Sequence, residues 1–432
     1  MKFFSTNKQS PKVDFKTALF SGLAPDGGLY MPQAIPQFTK DEIDSFPTLS
    51  LHQIASLVLQ KWIPDIPEKD MDTIVKKALT FSIPVTKHGN KYFLELFHGP
   101  TMAFKDIAAS VLAQLFAYYL KKEDREVMIL VATSGDTGGA IAQAFSGVAN
   151  VRVVVFYPEG RVSQLQEEQL TRVGDNIASV RVKGTFDDCQ AFVKKAFVDP
   201  DLHSLHLSSA NSISVGRLLP QILYYVWAYA QLSTKPLQFV VPSGNLGNVT
   251  AGVFAKNMGI PIDSFVIATN ENDAVYEYYQ SGSYAGKDTK QTLSNAMDVG
   301  SPSNMVRLLS LFSNNYDAFR QFIQVEKVSD EETVKTILSW NQKTNYLFDF
   351  HTAVAVTAAE RAISDKTQVI TSTASPKKFA KEMQQATNIY IDDSQEIEEL
   401  QKKEKRVSEC SNSYKELKEL LLSRTLFDEK SQ

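Results

Sequence analysis

The feature that most constrains this chain is Val127–Ala132, a run that is apolar at every position. A strand with one face in water alternates polar and apolar residues. A strand with no polar position is built for burial on both faces, as in a parallel sheet covered by helices. Further strands read at 92–96, 151–157, 178–182, 238–241, 265–268 and 369–372. Helical patterns fall between them, at 107–120, up to Phe145, and at 162–173, 187–197 and 248–258; 215–232 reads as one long helix. Strands alternating with helices at this spacing predict βαβ units, hence an α/β fold with mainly parallel twisted sheets and flanking helices. In such sheets ligands bind at the carboxyl ends of the strands.

With 432 residues there is room for two or three domains. Residues 1–82 read as a mostly helical N-terminal unit, with patterns from Lys40, at 48–62 and at 69–81 after a turn-rich segment, Gly22–Pro32. Residues 83–393 hold the strand–helix alternation, with helical patterns also at 305–322 and 330–343. Residues 394–432 are charge-dense and read as a solvated amphipathic helical segment. A net charge of −4 argues against a general nucleic-acid binder. No apolar run approaches the roughly 20 residues of a membrane span, and Met1–Ser5 lacks a signal-peptide stretch. Two cysteines, Cys189 and Cys410, give neither a disulfide framework nor a zinc pattern. These features predict a cytoplasmic protein with no membrane partner and no metal.

The stretch His98-Gly99-Pro100-Thr101-Met102-Ala103-Phe104-Lys105-Asp106 leads by a Gly-Pro turn into an apolar helix. Lys105 sits there between Phe104 and Ile107. A partly desolvated amine loses preference for its charged form and suits Schiff-base chemistry; a snorkelling lysine has the same neighbours. Two strands end in polar, glycine-bearing loops. Thr133–Gly139 offers Ser134 and Thr137 as donors and Asp136 as a carboxylate or an N-cap. Ser243–Asn248 opens a helix whose free N–H groups suit phosphate, or forms a tight structural turn. Ser208–Arg217, rich in hydroxyls and ending in an arginine, reads as another anion site or as helix capping. Thr371–Pro376 is a strand end with hydroxyls, or a surface turn. His203 and His206 have no partners for a metal site, whereas His98 and His351 read as loop residues supporting a site.

Together these segments resemble the threonine synthases of bacteria and fungi, pyridoxal-phosphate enzymes of the tryptophan-synthase-β fold. The resemblance spans about residues 14–380 and rests on six motifs in matching order. These are 22–30, 98–106, 133–138, 209–213, 243–248 and Leu293–Val299. It implies two catalytic lobes behind the N-terminal unit and pyridoxal 5′-phosphate carried by Lys105. It implies that Gly244, Asn245, Leu246, Gly247 and Asn248 cradle the cofactor phosphate, that Asp136 meets the ring 3′-oxygen and that Thr373 faces the ring nitrogen. Asn211, Ser212 and Arg217 fall where relatives hold the substrate phosphate; Thr133, Ser134 and Thr137 fall on the loop holding the substrate carboxylate or phosphate. The activity implied is conversion of O-phospho-L-homoserine and water to L-threonine and phosphate, by a monomer or weak dimer. The alternatives are a dehydratase or phospho-lyase of the same fold, or a non-catalytic cofactor binder. Ser375 stands where relatives usually carry histidine.

Overall fold

Two sheets built from these apolar runs carry the chain in a computed structural model, which describes every residue except 122, 124, 233–236, 363, 424 and 429–432. A small antiparallel sheet precedes them: β1 (Lys2–Ser5) lies between β2 (Val13–Asp14) and β3 (Tyr30–Pro32). Asp14 caps α1 (Phe15–Ser21) by accepting from the Thr17 amide. The Pro-Asp-Gly turn is pinned to β1, because Asp26 accepts from the Ser5 hydroxyl at 2.6 Å and from the Gln9 and Gly28 amides. Helices α2 (Lys40–Ser45) and α3 (Leu51–Trp62) both start with capping boxes, Thr39/Glu42 and Ser50/Gln53. With α4 (Glu68–Ala78), they complete the N-terminal unit; α3 turns Ile54, Val58, Leu59 and Trp62 into the core.

The hairpin β4 (Val85–His88) and β5 (Lys91–Glu95) leads into α5 (Lys105–Leu120), apolar on nearly every side and correspondingly buried. Then come β6 (Val127–Ala132), α6 (Asp136–Phe145), β7 (Val151–Pro158), α7 (Gln164–Thr171), β8 (Ile177–Val182), α8 (Phe186–Phe197) and β9 (Leu207–Ser209). All six residues of β6 are buried, as its composition requires. The apolar run 215–232, expected as one helix, is broken by Pro220, which lacks an N–H. It forms α9 (Val215–Leu218), a 3-10 turn at Leu219–Gln221 and α10 (Ile222–Leu232).

After β10 (Leu237–Pro242), α11 (Gly247–Asn257), β11 (Ile262–Thr269) and α12 (Ala274–Ser281), the pattern at 305–322 is also two helices. These are α13 (Met305–Leu311) and α14 (Tyr316–Phe322), separated where Ser313 and Asn314 take left-handed backbone conformations. Next follow β12 (Ile323–Lys327), α15 (Asp330–Thr344), α16 (Phe350–Arg361), β13 (Thr367–Ser372) and α17 (Ala380–Thr387). The six-stranded sheet has the order β12-β11-β10-β13-β5-β4 and is parallel except for β4. The second sheet is parallel throughout, with strands β8, β7, β6 and β9 joined by a strand from the C-terminal segment.

That segment departs from the sequence expectation. After α18 (Ser394–Gln401), β14 (Ser408–Cys410) pairs in parallel with β8, and α19 (Tyr414–Leu422) packs on the same sheet. Cys410, Leu417 and Leu421 are buried beside Val180, Val182 and Cys189. A three-residue strand is too short to announce itself among lysines and glutamates. Among the described residues no helix is long and apolar enough to cross a membrane.

Candidate active site

Five loops leave the carboxyl ends of parallel strands, at 96–104, 133–135, 210–214, 243–246 and 373–375, and meet around one cavity of about 580 Å³. All fourteen site residues singled out in the sequence line it. The lysine loop is stitched to the turn after β13. The Phe104 amide donates to the Thr373 carbonyl (2.8 Å), and the Ser375 amide donates to the Met102 carbonyl (3.0 Å). Met102 is held at φ 56°, a strained conformation for a non-glycine residue. Lys105 is the first residue of α5, with 14% of its side chain exposed and its Nζ 5.2 Å from the centre of the Phe104 ring. Burial lowers its proton affinity; Asp136 opposes that, and the cations of Lys378 and Arg217 add to it.

Asp136 is not a helix cap. Gly135 takes that position, and the Asp136 carboxylate turns into the cavity wall. Oδ2 lies 3.5 Å from Lys105 Nζ. Oδ1 accepts from Gln166 Nε2 (2.9 Å) and lies 3.1 Å from Lys378 Nζ. Burial pushes this carboxyl upward, but Lys378 and Lys105 together hold it well below the usual carboxylate range. Lys378 was not legible as a site residue. Its side chain is fully buried and also donates to the Thr101 carbonyl (2.6 Å) and Gln169 Oε1 (2.9 Å). The available signal was a lysine followed directly by Phe379-Ala380 in a turn opened by Ser375-Pro376. Ser375 itself caps that turn by accepting from the Lys377 amide.

The Ser243–Asn248 loop is braced from within: the Ser243 hydroxyl donates to Asn248 Oδ1 (2.5 Å), and Asn248 Nδ2 to the Pro242 carbonyl (2.9 Å). Leu246 adopts a left-handed conformation, and α11 begins at Gly247, so the first amides of that helix face the cavity without intrahelical partners. Gly244 is needed for contact, since a Cβ there would stand 2.7 Å from Met297 Cα. Asn245 donates to the Ser212 hydroxyl (2.6 Å), tying this loop to the next.

In that next loop, Asn211 Nδ2 donates to the Ala132 carbonyl, while Asn211 Oδ1, Ser214 Oγ and Arg217 Nε and Nη1 are buried with no hydrogen-bond partner among the described residues. A guanidinium 4% exposed with two idle nitrogens is built for an anion; burial lowers its pKa to about 10. Thr133 serves differently from Ser134 and Thr137. Its hydroxyl oxygen accepts from the Gly135 and Gly138 amides and so shapes the loop.

One further residue escaped the sequence reading. Arg307, fully buried, donates to the carbonyls of Tyr30, Ser212 and Ile213 and to Asn304 Oδ1, fastening the N-terminal unit to the anion loop. His351 lies in the first turn of α16 rather than in a loop. Asp349 accepts from its Nδ1 at 2.5 Å, so its Nε2 is free to accept the Ala296 amide (3.0 Å), which holds the 294–298 segment against the cavity. His98 pairs instead with Glu95 (2.7 Å).

A buried amine between an amide cradle and an idle guanidinium suits an aldehyde-bearing phosphate cofactor with an anionic substrate, so the residues present fit pyridoxal phosphate. The family described as Pyridoxal-phosphate dependent enzyme matches residues 81–373, Threonine synthase N terminus matches 2–79, and Threonine synthase, C-terminal matches 352–421. A threonine synthase from Haemophilus influenzae is 38% identical over 429 residues, covering 98% of this chain and 100% of that protein. The crystal structure of a threonine synthase from Escherichia coli superposes with a TM-score of 0.92 at 37% identity, covering 98% and 99% of the two chains. That of a PLP-bound threonine synthase from Brucella melitensis gives 0.90 at 34% identity, covering 98% of each.

Proposed function

This chain belongs to the threonine synthase family of pyridoxal-phosphate-dependent enzymes, and from that membership we propose how its residues divide the work. The reaction is the pyridoxal-phosphate-dependent synthesis of L-threonine. Its substrates are O-phospho-L-homoserine and water, and its second product is phosphate. The cofactor, when bound, draws electrons from the substrate's Cα–N unit and so makes protons at Cα and Cβ removable.

Lys105 is the residue that holds the cofactor covalently; once displaced by substrate, its amine moves protons at Cα and Cβ. Its lowered proton affinity supports both tasks. The amides at 247 and 248 hold the cofactor phosphate, with Gly244, Asn245 and Leu246 shaping the cradle. Thr373 faces the ring nitrogen and Asp136 the ring oxygen. Arg217, with Asn211 and Ser212, holds the substrate phosphate that departs from Cγ. Ser134 and Thr137 orient the substrate carboxylate on a loop that Thr133 organises. The Cγ–O bond breaks as phosphate leaves, a proton taken from the substrate's Cα or Cβ is returned at Cγ to make the methyl group, and water adds at Cβ to form the new C–O bond.

The observation that carries this reading is the placement of one buried amine between two separate anion sites, since a phosphorylated cofactor and a phosphorylated substrate need one each. The test is to incubate the protein with pyridoxal phosphate and O-phospho-L-homoserine and measure phosphate and L-threonine together. Equal yields are expected; phosphate with a 2-oxo acid and no threonine would make the enzyme a lyase on the same scaffold.

The same reading divides the chain into an N-terminal unit (1–82), a catalytic region (83–393) and a C-terminal segment (394–432) that closes one sheet. It places the enzyme in the cytoplasm as a monomer or weak dimer. Two free, buried cysteines and, among the described residues, exposed large apolar side chains that are scattered along the chain, such as Val198 and Tyr390, support that placement.

A further inference from the structure

We propose that Lys378 is a positioning residue: by taking up one oxygen of Asp136, it keeps Lys105 from being locked as an ammonium. The inference rests on the reading of Lys105 as the cofactor-bearing lysine. Asp136 is one carboxylate facing two ammoniums. Its Oδ1 is engaged by Lys378 (3.1 Å) and Gln166 (2.9 Å), which leaves Oδ2 to Lys105 at 3.5 Å, the long limit of a hydrogen bond.

Lys378 is enclosed. Its Nζ donates to the Thr101 carbonyl and to Gln169 Oε1 and forms an ion pair with Asp136. These contacts hold the fully buried Lys378 side chain against Asp136 Oδ1. Lys105 has no such set, and that asymmetry makes it the lysine that gives up a proton. It must do so to solvent before its nitrogen can condense with an aldehyde, forming C=N and losing water.

The pairing also crosses the molecule. Lys105 and Lys378 follow β5 and β13 of the six-stranded sheet, whereas Asp136 follows β6 of the other. Other titratable or charged groups around these three are Arg217, which repels a cation at Lys105; His351, which faces Asp136; and Asp106, which faces both Lys378 and Arg217. Without Lys378, the Asp136 charge has Lys105 as its nearest cation, and a tight ion pair replaces the 3.5 Å contact.

The test uses cofactor-free protein mixed with pyridoxal 5′-phosphate. The rate at which the bound-cofactor absorbance develops is followed against pH, and borohydride reduction with peptide mapping locates the label. In Lys378→Met and Lys378→Gln the pH midpoint of capture should rise by about one unit; in Lys378→Arg it should stay in place. Asp136→Asn, which leaves Lys378 intact, should lower the midpoint, and adding Lys378→Gln to it should raise the midpoint by clearly less than in the wild-type background, because only the direct repulsion between the two cations is then lost. A slower or less stable Lys378→Gln protein with an unmoved midpoint would reduce Lys378 to a structural role and overturn the proposal. So would a rise of the same size in the Asp136→Asn background, or an Asp136→Asn midpoint that does not fall. A label away from Lys105 would overturn the reading of Lys105 itself, and the proposal with it.

Discussion

Replacing Gly247 by alanine separates the cofactor cradle from the fold that carries it. An alanine Cβ at 247 would meet nothing nearer than Asn304 Nδ2 at 3.6 Å, Ser212 Cβ at 3.8 Å and Gln221 Nε2 at 3.9 Å, all ordinary contacts. The residue opens α11 and is not among the glycines with positive φ. Alanine is also the better helix former, by up to about 1 kcal/mol. The protein should therefore fold at least as stably as wild type. The methyl group, however, stands among the amides assigned to the cofactor phosphate. Displacing that phosphate from one charge-assisted hydrogen bond costs about 1.5–3 kcal/mol, a loss of roughly 10- to 150-fold in affinity. The assay is a titration of cofactor-free protein with pyridoxal phosphate, paired with a melting curve. Gly244→Ala is the contrasting case, because its Cβ would press on Met297 Cα, C and O at 2.7–3.0 Å, and backbone cannot yield. That overpacking should cost about 1–3 kcal/mol of stability and weaken the cofactor too. Wild-type affinity in Gly247→Ala would refute the assignment of this loop to the cofactor phosphate.

Arg217→Gln should raise KM for the phosphorylated substrate while leaving cofactor affinity unchanged; steady-state kinetics beside the same titration would check it, and a parallel loss of cofactor would count against separate anion sites. Arg307→Met strands the buried carbonyl of Tyr30 and the half-buried carbonyls of Ser212 and Ile213. Relief of a buried charge offsets part of that cost, for a net loss of roughly 2 kcal/mol in urea denaturation; an unshifted midpoint would show that these contacts carry no net stability. Asp273 is pushed upward by burial but drawn down to about 2 by Lys287 and Lys327. Its stabilising contribution is present above the unfolded carboxylate pKa and is lost as pH falls from about 4 to about 2. Denaturation midpoints across that range should fall less steeply in Asp273→Asn than in wild type, and parallel curves would contradict the assignment.

The parts of this molecule that were legible in the sequence are those set by local chemistry. Val127–Ala132 could only be a strand buried on both faces, and the glycine and hydroxyl loops after such strands could only lie at the ligand-binding end of a parallel sheet. What escaped depends on distant pairing. β14 exists because β8 offers a free edge, and nothing within Ser408–Cys410 records that. Lys378 and Arg307 resemble surface cations until Asp136 and three carbonyls, from chain segments far away, enclose them. Asp136 was visible as a carboxylate on the right loop. Which groups it answers to was not, because one comes from the end of β13 and another from α7.

The buried arginines share a physical rationale. Arg217 and Arg307 are both buried, and desolvation alone lowers Arg307 to about 9, with no acidic side chain among the described residues bonded to it. A fold that buries cations on neutral acceptors gives up stability for each one. Here those cations lie around a cavity assigned to two phosphates, and their desolvation is met before any ligand arrives. Dianions then enter a site whose positive charge is fixed in direction and poorly screened by water, where each contact counts for more than it would at the surface. Arg307 acts at one remove, by holding the carbonyls of Ser212 and Ile213 and so the loop from which Arg217 projects. If that loop holds the substrate phosphate as proposed, the N-terminal unit, reached through Tyr30, is part of what positions it, although it contributes no residue to the cavity wall.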